Sequence, residues 1–458
     1  MFIGREEELK TLSKHYNSDK FSFIPIYGRR RIGKTRLIEE FIKDKKAIFF
    51  TAVEDTRGLN LTIFSHEVQE KIFDASGRAV YESFRAAFAD IYEYALKEKL
   101  ILVIDEYPYL AKSDPSISSI LQIEIDRHLI KTDMLLILSG SSMSFMENQV
   151  LGYQSPLYGR RSGQIKLLPE SFAVSQEYAP AFSKEEQAIM YGVTGGIPKY
   201  LSLFDDKYSL RENLHSQFFD KNNFLFEETD NLLKQELHEP AFYKSLITAI
   251  ATGSSQMKDI ASKTGSESAV CSTYLKPLLE LGIIKREVPI FDKEDSKKSI
   301  YRIADGMFRF WYRFVYQNVS LINLGKGEVV FSRIEGQIPH FMGEVYEKIC
   351  IEYMWSKYHE MPFDFQNIGR WWGNNPLRKR QEEIDFIAFD DINRKAIFGE
   401  CKWTNEKVSE SVIDQLIEKT EMFNYGEKYY YLFAKNGFTD AARRKAGEFV
   451  KLIGFEDM

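Results

Sequence analysis

Eight residues near the start of the chain, Gly28-Arg29-Arg30-Arg31-Ile32-Gly33-Lys34-Thr35, carry the spacing G-x-x-x-x-G-K-[ST]. The two glycines permit backbone conformations in which successive N–H groups turn inward on phosphate oxygens. The helix that follows, entered through Arg36, adds the partial positive charge of its N-terminus. Lys34 is spaced to reach the β- and γ-phosphates of a nucleoside triphosphate, and the Thr35 hydroxyl to bind Mg²⁺. An apolar β-type run, Phe21 to Tyr27, precedes the loop, and a helical run to Ile42 follows it. That context makes Gly28 through Arg36 the expected contacts of ATP.

A metal-bound triphosphate needs acids beside it. Leu100 to Glu106 is a continuous apolar run ending in Asp105-Glu106. Such a run belongs in a parallel sheet buried on both faces, with its carboxyl end at the ligand edge. Asp105 is the expected second Mg²⁺ residue, and Glu106 the expected orienter or base for attacking water. A further apolar strand ends in Ser139-Gly140-Ser141-Ser142, where Ser139 is positioned to sense the γ-phosphate or hold the water. In the loop Tyr158-Gly159-Arg160-Arg161, an arginine could stabilise transferred charge, in cis or across a subunit interface; Arg160 is preferred and Arg161 remains open. The turn Gly195-Gly196-Ile197-Pro198 opens a helix and would press Pro198 on the adenine side, or serve as a hinge.

A second chemistry lies in the last third. Glu383 to Phe389 reads as a strand, Asp390 to Arg394 as a turn, and Lys395 to Trp403 as the returning strand. Alternation puts Glu400 and Lys402 on one face and Cys401 on the other. Asp385 on the paired strand comes alongside, giving two carboxylates, Asp385 and Glu400, for one Mg²⁺ with the Lys402 ammonium nearby. That combination can activate water for phosphodiester cleavage.

The elements that must position these groups are legible around them. At 458 residues the chain is too long for a single core, and two to four domains are expected. A net charge of −6 argues against wholesale electrostatic binding of nucleic acid and leaves room for a local basic groove. Cys271, Cys350 and Cys401 are widely spaced, make no metal pattern and read as buried thiols of a reducing compartment. No apolar stretch approaches membrane-spanning length, so a cytoplasmic protein without membrane contact is expected. Pro240 begins a three-helix pattern, with Ser255 and Ser266 as expected caps, followed by strands at Ile283 to Arg286 and Ser299 to Ile303; this reads as a winged helix. Its third helix presents Glu267, Ser268, Ser272, Thr273, Lys276 and Glu280, too few cations for phosphate binding. The remaining DNA contact is the wing with Lys285, Arg286, Lys297 and Lys298. Arg370-Trp371-Trp372 and Arg378-Lys379-Arg380 form a basic loop able to meet phosphates, and Asp305 to Phe314 a dense aromatic helix.

In this order, Phe2-Ile3-Gly4-Arg5-Glu6, the phosphate loop, Ile104-Asp105-Glu106, Leu138-Ser139-Gly140-Ser141-Ser142 and Gly195-Gly196-Ile197-Pro198-Lys199-Tyr200-Leu201 resemble the archaeal-type AAA ATPases, relatives of the signal-transducing NTPases. The C-terminal acid, Asp and Glu-x-Lys resemble the restriction-endonuclease-like fold. That second resemblance implies Glu347, Asp385, Glu400 and Lys402 as the four catalytic positions, with Glu344 as the alternative helix acid and Gln415 as an accessory. Together the resemblances imply an α/β chain: a P-loop NTPase parallel sheet (1–170), a helical lid (171–236), a winged helix (237–305), an aromatic helical connector (306–340) and an α/β nuclease-like domain (341–458). Two functions remain open. In one, ATP state controls a metal-dependent DNA nuclease; in the other, the ATPase is a switch and the C-terminal domain only binds DNA or protein. A homo-oligomer or protein partner is compatible with both.

Overall fold

A computed structural model describes residues 2–74 and 79–458. The chain divides into two units: Met1–Glu170 with Ile197–Lys199, and Ser171–Gly196 with Tyr200–Met458.

The first unit is built on five strands, β1 (Ser22–Tyr27), β2 (Ala47–Thr51), β3 (Ile101–Asp105), β4 (Leu135–Gly140) and β5 (Ile165–Lys166). They lie in the order β2-β3-β4-β1-β5, all parallel. Every residue of β1, β3 and β4 is buried, which accounts for their unbroken apolar sequences. Phe23, Phe50, Leu102, Ile104, Leu136 and Leu138 share one core with Phe64, Phe84, Phe88, Ile91 and Leu121, contributed by helices Arg57–Phe73, Phe84–Ala95 and Ile117–Arg127. On the opposite face, His15 of helix Glu6–Tyr16 lies 3.3 Å from the Ser22 hydroxyl. Tyr16 meets Phe41 of helix Lys34–Ile42 edge-on. After β1 the chain crosses to β2 on one side, while β5 is added on the other. The carboxyl end of β1 is therefore the switch point of the sheet, where ligand crevices form.

In the second unit, helices Lys184–Thr194 and Leu210–Phe219 each open with a serine–glutamate capping box. Phe310 packs on Phe218, Phe219 and Phe341, with a single π turn at Trp311–Val315 breaking the expected aromatic helix. Helices Pro240–Ala251, Met257–Thr264 and Ser268–Glu280 pack together, Tyr274 against Phe242 and Tyr243. The last two begin after Gln256 and Glu267, so the expected serine caps fall one residue early and make no cap bond. An antiparallel ribbon follows, β6 (Ile284–Glu287) and β7 (Ile300–Ile303).

Beyond it lies a mixed sheet of β8 (Ile368–Asn375), β9 (Arg380–Asp390), β10 (Lys395–Lys402), β11 (Glu427–Ala434) and β12 (Val450–Gly454), in the order β12-β11-β10-β9-β8. The pairs β8–β9 and β9–β10 are antiparallel, and the other two are parallel. The expected basic loop at Arg370 is thus strand β8. Helix Ile338–Ser356 covers one face through Tyr346–Trp403 and Tyr353–Phe433 contacts. Helix Glu410–Thr420 covers the other, placing Ile413 and Leu416 among Ile384, Ala396, Phe398 and Leu432. Among the described residues no helix is long and apolar enough to cross a membrane.

Candidate nucleotide site and carboxylate site

At the end of β1 the backbone turns through Gly28, where an added Cβ would lie 2.7 Å from the carbonyl of Leu167, the residue after β5. Only glycine allows that approach. Arg31 and Gly33 follow with φ of 70° and 93°, left-handed geometry that aims consecutive amides inward. Lys34, 6% exposed, donates to the Gly28 and Arg29 carbonyls at 3.0 and 3.3 Å, holding the loop in a closed curve. The Thr35 hydroxyl donates to Asp105 Oδ2 at 3.0 Å. A hydroxyl and a buried carboxylate at that spacing form the hard oxygen pair that suits Mg²⁺. Asp105 is 2% exposed, and its other oxygen accepts from the Glu106 amide at 3.1 Å.

Glu106 opens helix Tyr107–Ser113 with φ of 50°, a conformation a glutamate adopts at a cost of about 1–2 kcal/mol. Its carboxylate accepts from the Ser141 hydroxyl at 2.9 Å and lies 3.4 Å from the Ser141 amide. Ser139 does not take that position. It is fully buried in β4, opposite Ile26, and its hydroxyl makes no hydrogen bond among the described residues. Within the Ser139-to-Ser142 run, alternation and the end of the strand bring Ser141 to the acid.

Two neighbouring segments close on the loop. Pro198 Cγ lies 4.0 Å from where a Cβ of Gly33 would stand, and the Lys199 amide donates to the Arg31 carbonyl at 3.3 Å. Arg30 reaches the Tyr109 hydroxyl at 2.9 Å. Arg5, which sequence reasoning left without a role, pairs with Glu170 at 2.8 Å and Glu8 at 3.3 Å. It also donates to the Leu168 and Ile32 carbonyls, tying the N-terminal segment to the loop.

Arg160 is not brought to this cluster. Asp126 holds its guanidinium through two 2.7 Å bonds, and the Pro156 and Tyr158 carbonyls take a third nitrogen. The residues after it run beside the start of β1: the Ser162 amide donates to Phe23 O at 2.8 Å. That is the sheet edge opposite the phosphate loop, so action of Arg160 in cis is not supported. Arg161 is exposed.

The second cluster arises from an irregularity. Gly369 pairs with Ile387 but Trp371 with Ile384, so β9 carries one residue more than β8 at Asp385–Phe386. Such a bulge re-aims side chains. Asp385 Oδ2 accepts from the Cys401 amide at 2.7 Å. Glu400 and Lys402 share the face covered by helix Glu410–Thr420, where Glu400 binds Lys402 and also Lys419 at 3.3 Å. Lys419 went unrecognised in the sequence; the expected accessory Gln415, one turn earlier, is exposed. Cys401, half-buried on the other face, is a free thiol, as are buried Cys271 and Cys350.

Burial, then the like charges of Glu400 and Glu347, push the Asp385 carboxyl up to about 7. Burial also raises Glu347, against the opposing pull of Arg370, 3.4 Å away. Glu344 is engaged instead by Arg309 and Arg302 at 2.8 and 2.9 Å, so of the two helix acids Glu347 shares the field of Asp385. Burial opposes the Lys402 ammonium, but Glu400 holds its pKa above the usual value. Crowded buried carboxylates of this kind are relieved by a divalent cation, and in that respect Asp385 and Glu400 fit one. Among the described residues no three His, Cys, Asp or Glu side chains converge as a ready-made metal cluster.

The basic stretches expected to meet phosphates are largely occupied. Arg370 faces Glu347, Glu287 and Glu383. Arg378 pairs with Glu382 and Glu418, and Arg380 with Glu382. Trp371 is buried. The wing does not project freely. The Ile290 amide donates to the Arg370 carbonyl at 2.9 Å, and Phe291 packs on Phe389 and Phe423.

Comparison with known proteins finds an ATPase domain in the part of the chain that holds the first cluster. A family model described as an ATPase domain predominantly from Archaea matches residues 2–204. A second, described as archaeal and bacterial proteins of unknown function, matches residues 311–413. The chain is 36% identical over 441 residues to the uncharacterized protein MJECL04 of Methanocaldococcus jannaschii, covering 95% of this chain and 96% of that one. It is 50% identical over 46 residues to the uncharacterized ATP-binding protein MJ0423 of the same organism, covering 10% of this chain and 78% of that one. In fold it is similar to the Walker-type ATPase paby2304 of Pyrococcus abyssi, with a TM-score of 0.51 and 18% identity over 68% of this chain and 96% of that one.

Proposed function

The chain belongs to the family of MJECL04, in which an archaeal-type ATPase domain precedes a second matched region, and from that premise we propose that it is a Mg²⁺-dependent ATPase whose nucleotide state regulates a C-terminal, metal-dependent nuclease-like domain. The observation that carries the ATPase reading is the Thr35–Asp105 hydrogen bond, with Glu106 held by Ser141 beside it. The loop amides and Lys34 bind the β- and γ-phosphates, Lys34 exchanging its carbonyl partners for phosphate oxygens. Thr35 and Asp105 would hold Mg²⁺, which would supply charge neutralisation at the transferred phosphoryl group. Glu106 orients the attacking water and accepts its proton, and Ser141 fixes the carboxylate that does so. Pro198 and the segment entered through Arg5 border the bound nucleotide. With Arg160 held by Asp126, an arginine acting on the phosphates would be Arg161 or one supplied by a second copy of the chain.

In the C-terminal domain, spanning 341–458, the reading rests on the Asp385 bulge. Asp385 and Glu400 would hold the divalent cation, Lys402 would neutralise charge on the cleaved phosphodiester, and Glu347 would complete the set. The helices of 171–236 then act as a lid, 237–305 as a winged helix and 306–340 as the connector. A second reading, a C-terminal domain that binds DNA or protein without cleaving, is favoured by one observation: Glu400 is already neutralised by two lysines.

The ATPase assignment is tested with Lys34→Ala and Glu106→Gln. Lys34→Ala is expected to lose ATP binding. Glu106→Gln is expected to bind ATP like the wild type in equilibrium titration while losing about 100-fold or more in turnover. ATP affinity unchanged in Lys34→Ala, or full turnover in Glu106→Gln, contradicts it.

A further inference from the structure

Arg370 stands on β8 among three acids and is fully committed to none. Its Nε lies 3.4 Å from Glu347 of helix Ile338–Ser356, its Nη1 3.9 Å from Glu287 of the ribbon strand β6, and its Nη2 3.4 Å from Glu383 of β9. These separations are long for charge-assisted hydrogen bonds, which close to about 2.7–2.9 Å. Arg370 Nε and Glu287 Oε2 are both buried and make no hydrogen bond among the described residues. The guanidinium is thus divided between an acid of the carboxylate site and an acid of the ribbon.

The ribbon is held where this sharing occurs by contacts of its own. The Ile290 amide bonds the carbonyl of Arg370 itself. Ile290 packs over Gly369 and Phe291 on Phe389 and Phe423, so the connection between β6 and β7 docks along the edge of the sheet. The other charges facing this point are accounted for. Lys285 and Arg302 pair with Glu287, and Arg302 and Arg309 with Glu344. Lys348 pairs with Glu352. Lys402 and Lys419 are taken by Glu400. Arg370 of β8 reaches both the ribbon and Glu347, and Arg302 of β7, paired with Glu287, also adds its charge to the surroundings of Glu347.

We infer that Arg370 is a shared counter-ion, and that the docked ribbon sets the divalent-cation affinity of the Asp385–Glu400 site by drawing Arg370 away from Glu347. This rests on the carboxylate-site reading above. With Glu287 in place, part of the guanidinium charge is spent on the ribbon, leaving Glu347 more of its negative field to offer a cation. If the ribbon leaves, Arg370 closes on Glu347 and opposes the cation. The three-helix module and its ribbon thereby act on the site as a positioning device, without touching the reacting atoms.

The test is Mn²⁺ binding to the full-length protein, followed by electron paramagnetic resonance titration without nucleotide. Asp385→Asn identifies which bound Mn²⁺ belongs to the C-terminal site. Arg370→Ala is expected to tighten that Mn²⁺ roughly tenfold and Arg370→Lys to stay near wild type. Glu287→Gln and Phe291→Ala, which remove the ribbon's charge or its anchor, are expected to weaken it roughly threefold. A change of opposite sign on the two sides of Arg370 is a signature that loss of structure does not produce. If Asp385→Asn removes the Mn²⁺ but the other variants leave its affinity unchanged, or all shift it the same way, the shared counter-ion is overturned and the carboxylate reading stands. If Asp385→Asn leaves Mn²⁺ binding intact, the carboxylate reading itself fails and the inference with it.

Discussion

Asp385 and Glu106 are both acids held where an acid is costly, by different means. For Glu106 the cost is backbone: a left-handed φ at the first turn of a helix, tolerated because Ser141 and the Asp105–Glu106 turn hold the carboxylate at the sheet edge. For Asp385 it is electrostatic, since burial and two nearby carboxylates raise its pKa to about 7. The folded protein therefore holds a proton there that the unfolded chain releases at an ordinary aspartate pKa. Between those two values the native state binds more protons, so this residue's contribution to stability falls as pH rises through that window. Asp385→Asn is expected to melt above wild type at pH 8 without divalent cation, the gap closing below about pH 4. Thermal unfolding across that range checks it; a gap that widens toward low pH contradicts the assignment.

At the scale of elements, the nucleotide half was the more legible in sequence. Local patterns sufficed: buried parallel strands give unbroken apolar runs, and a phosphate loop must sit where such a strand meets a helix. Ser141 was hidden because it is one of three serines in four residues, and only the end of β4 decides which meets Glu106. Arg160 could not be placed because its position depends on Asp126, a partner 34 residues away that leaves no local trace. In the second unit, β8 was masked by charge, because Arg370 is offset by acids from three separate elements, Glu287, Glu347 and Glu383. The bulge that aims Asp385 did leave one sign, Gly399 in the interior of strand β10. A Cβ there would lie 2.0 Å from Phe386 Cζ, so the Phe386 ring crosses the strand only because residue 399 is glycine. Gly399→Ala is expected to cost about 1–3 kcal/mol in denaturant unfolding and to weaken divalent-cation binding at Asp385. Wild-type stability and wild-type binding together would show that the bulge is not held by this approach.

Across the whole molecule, the chain passes between the two units more than once. The chain leaves the first unit at Glu170, returns for Ile197–Lys199 alone, and leaves again at Tyr200. Those three residues include Pro198, against Gly33, and Lys199, bonded to Arg31, so the loop is met by a segment whose chain continues at both ends into the second unit. Gly195 and Gly196, with φ of 67° and 77°, precede it and can absorb the turn. The central claim is that nucleotide held at Gly28–Thr35 governs chemistry at Asp385, Glu400 and Lys402. Its most direct test is nicking of supercoiled DNA by the full-length protein with Mg²⁺ or Mn²⁺, in the presence and absence of ATP. The account predicts nicking that depends on the divalent cation, changes rate with ATP in wild type but not in Lys34→Ala, and is lost in Asp385→Ala. Absence of nicking under every condition, or nicking that Asp385→Ala leaves intact, would contradict it.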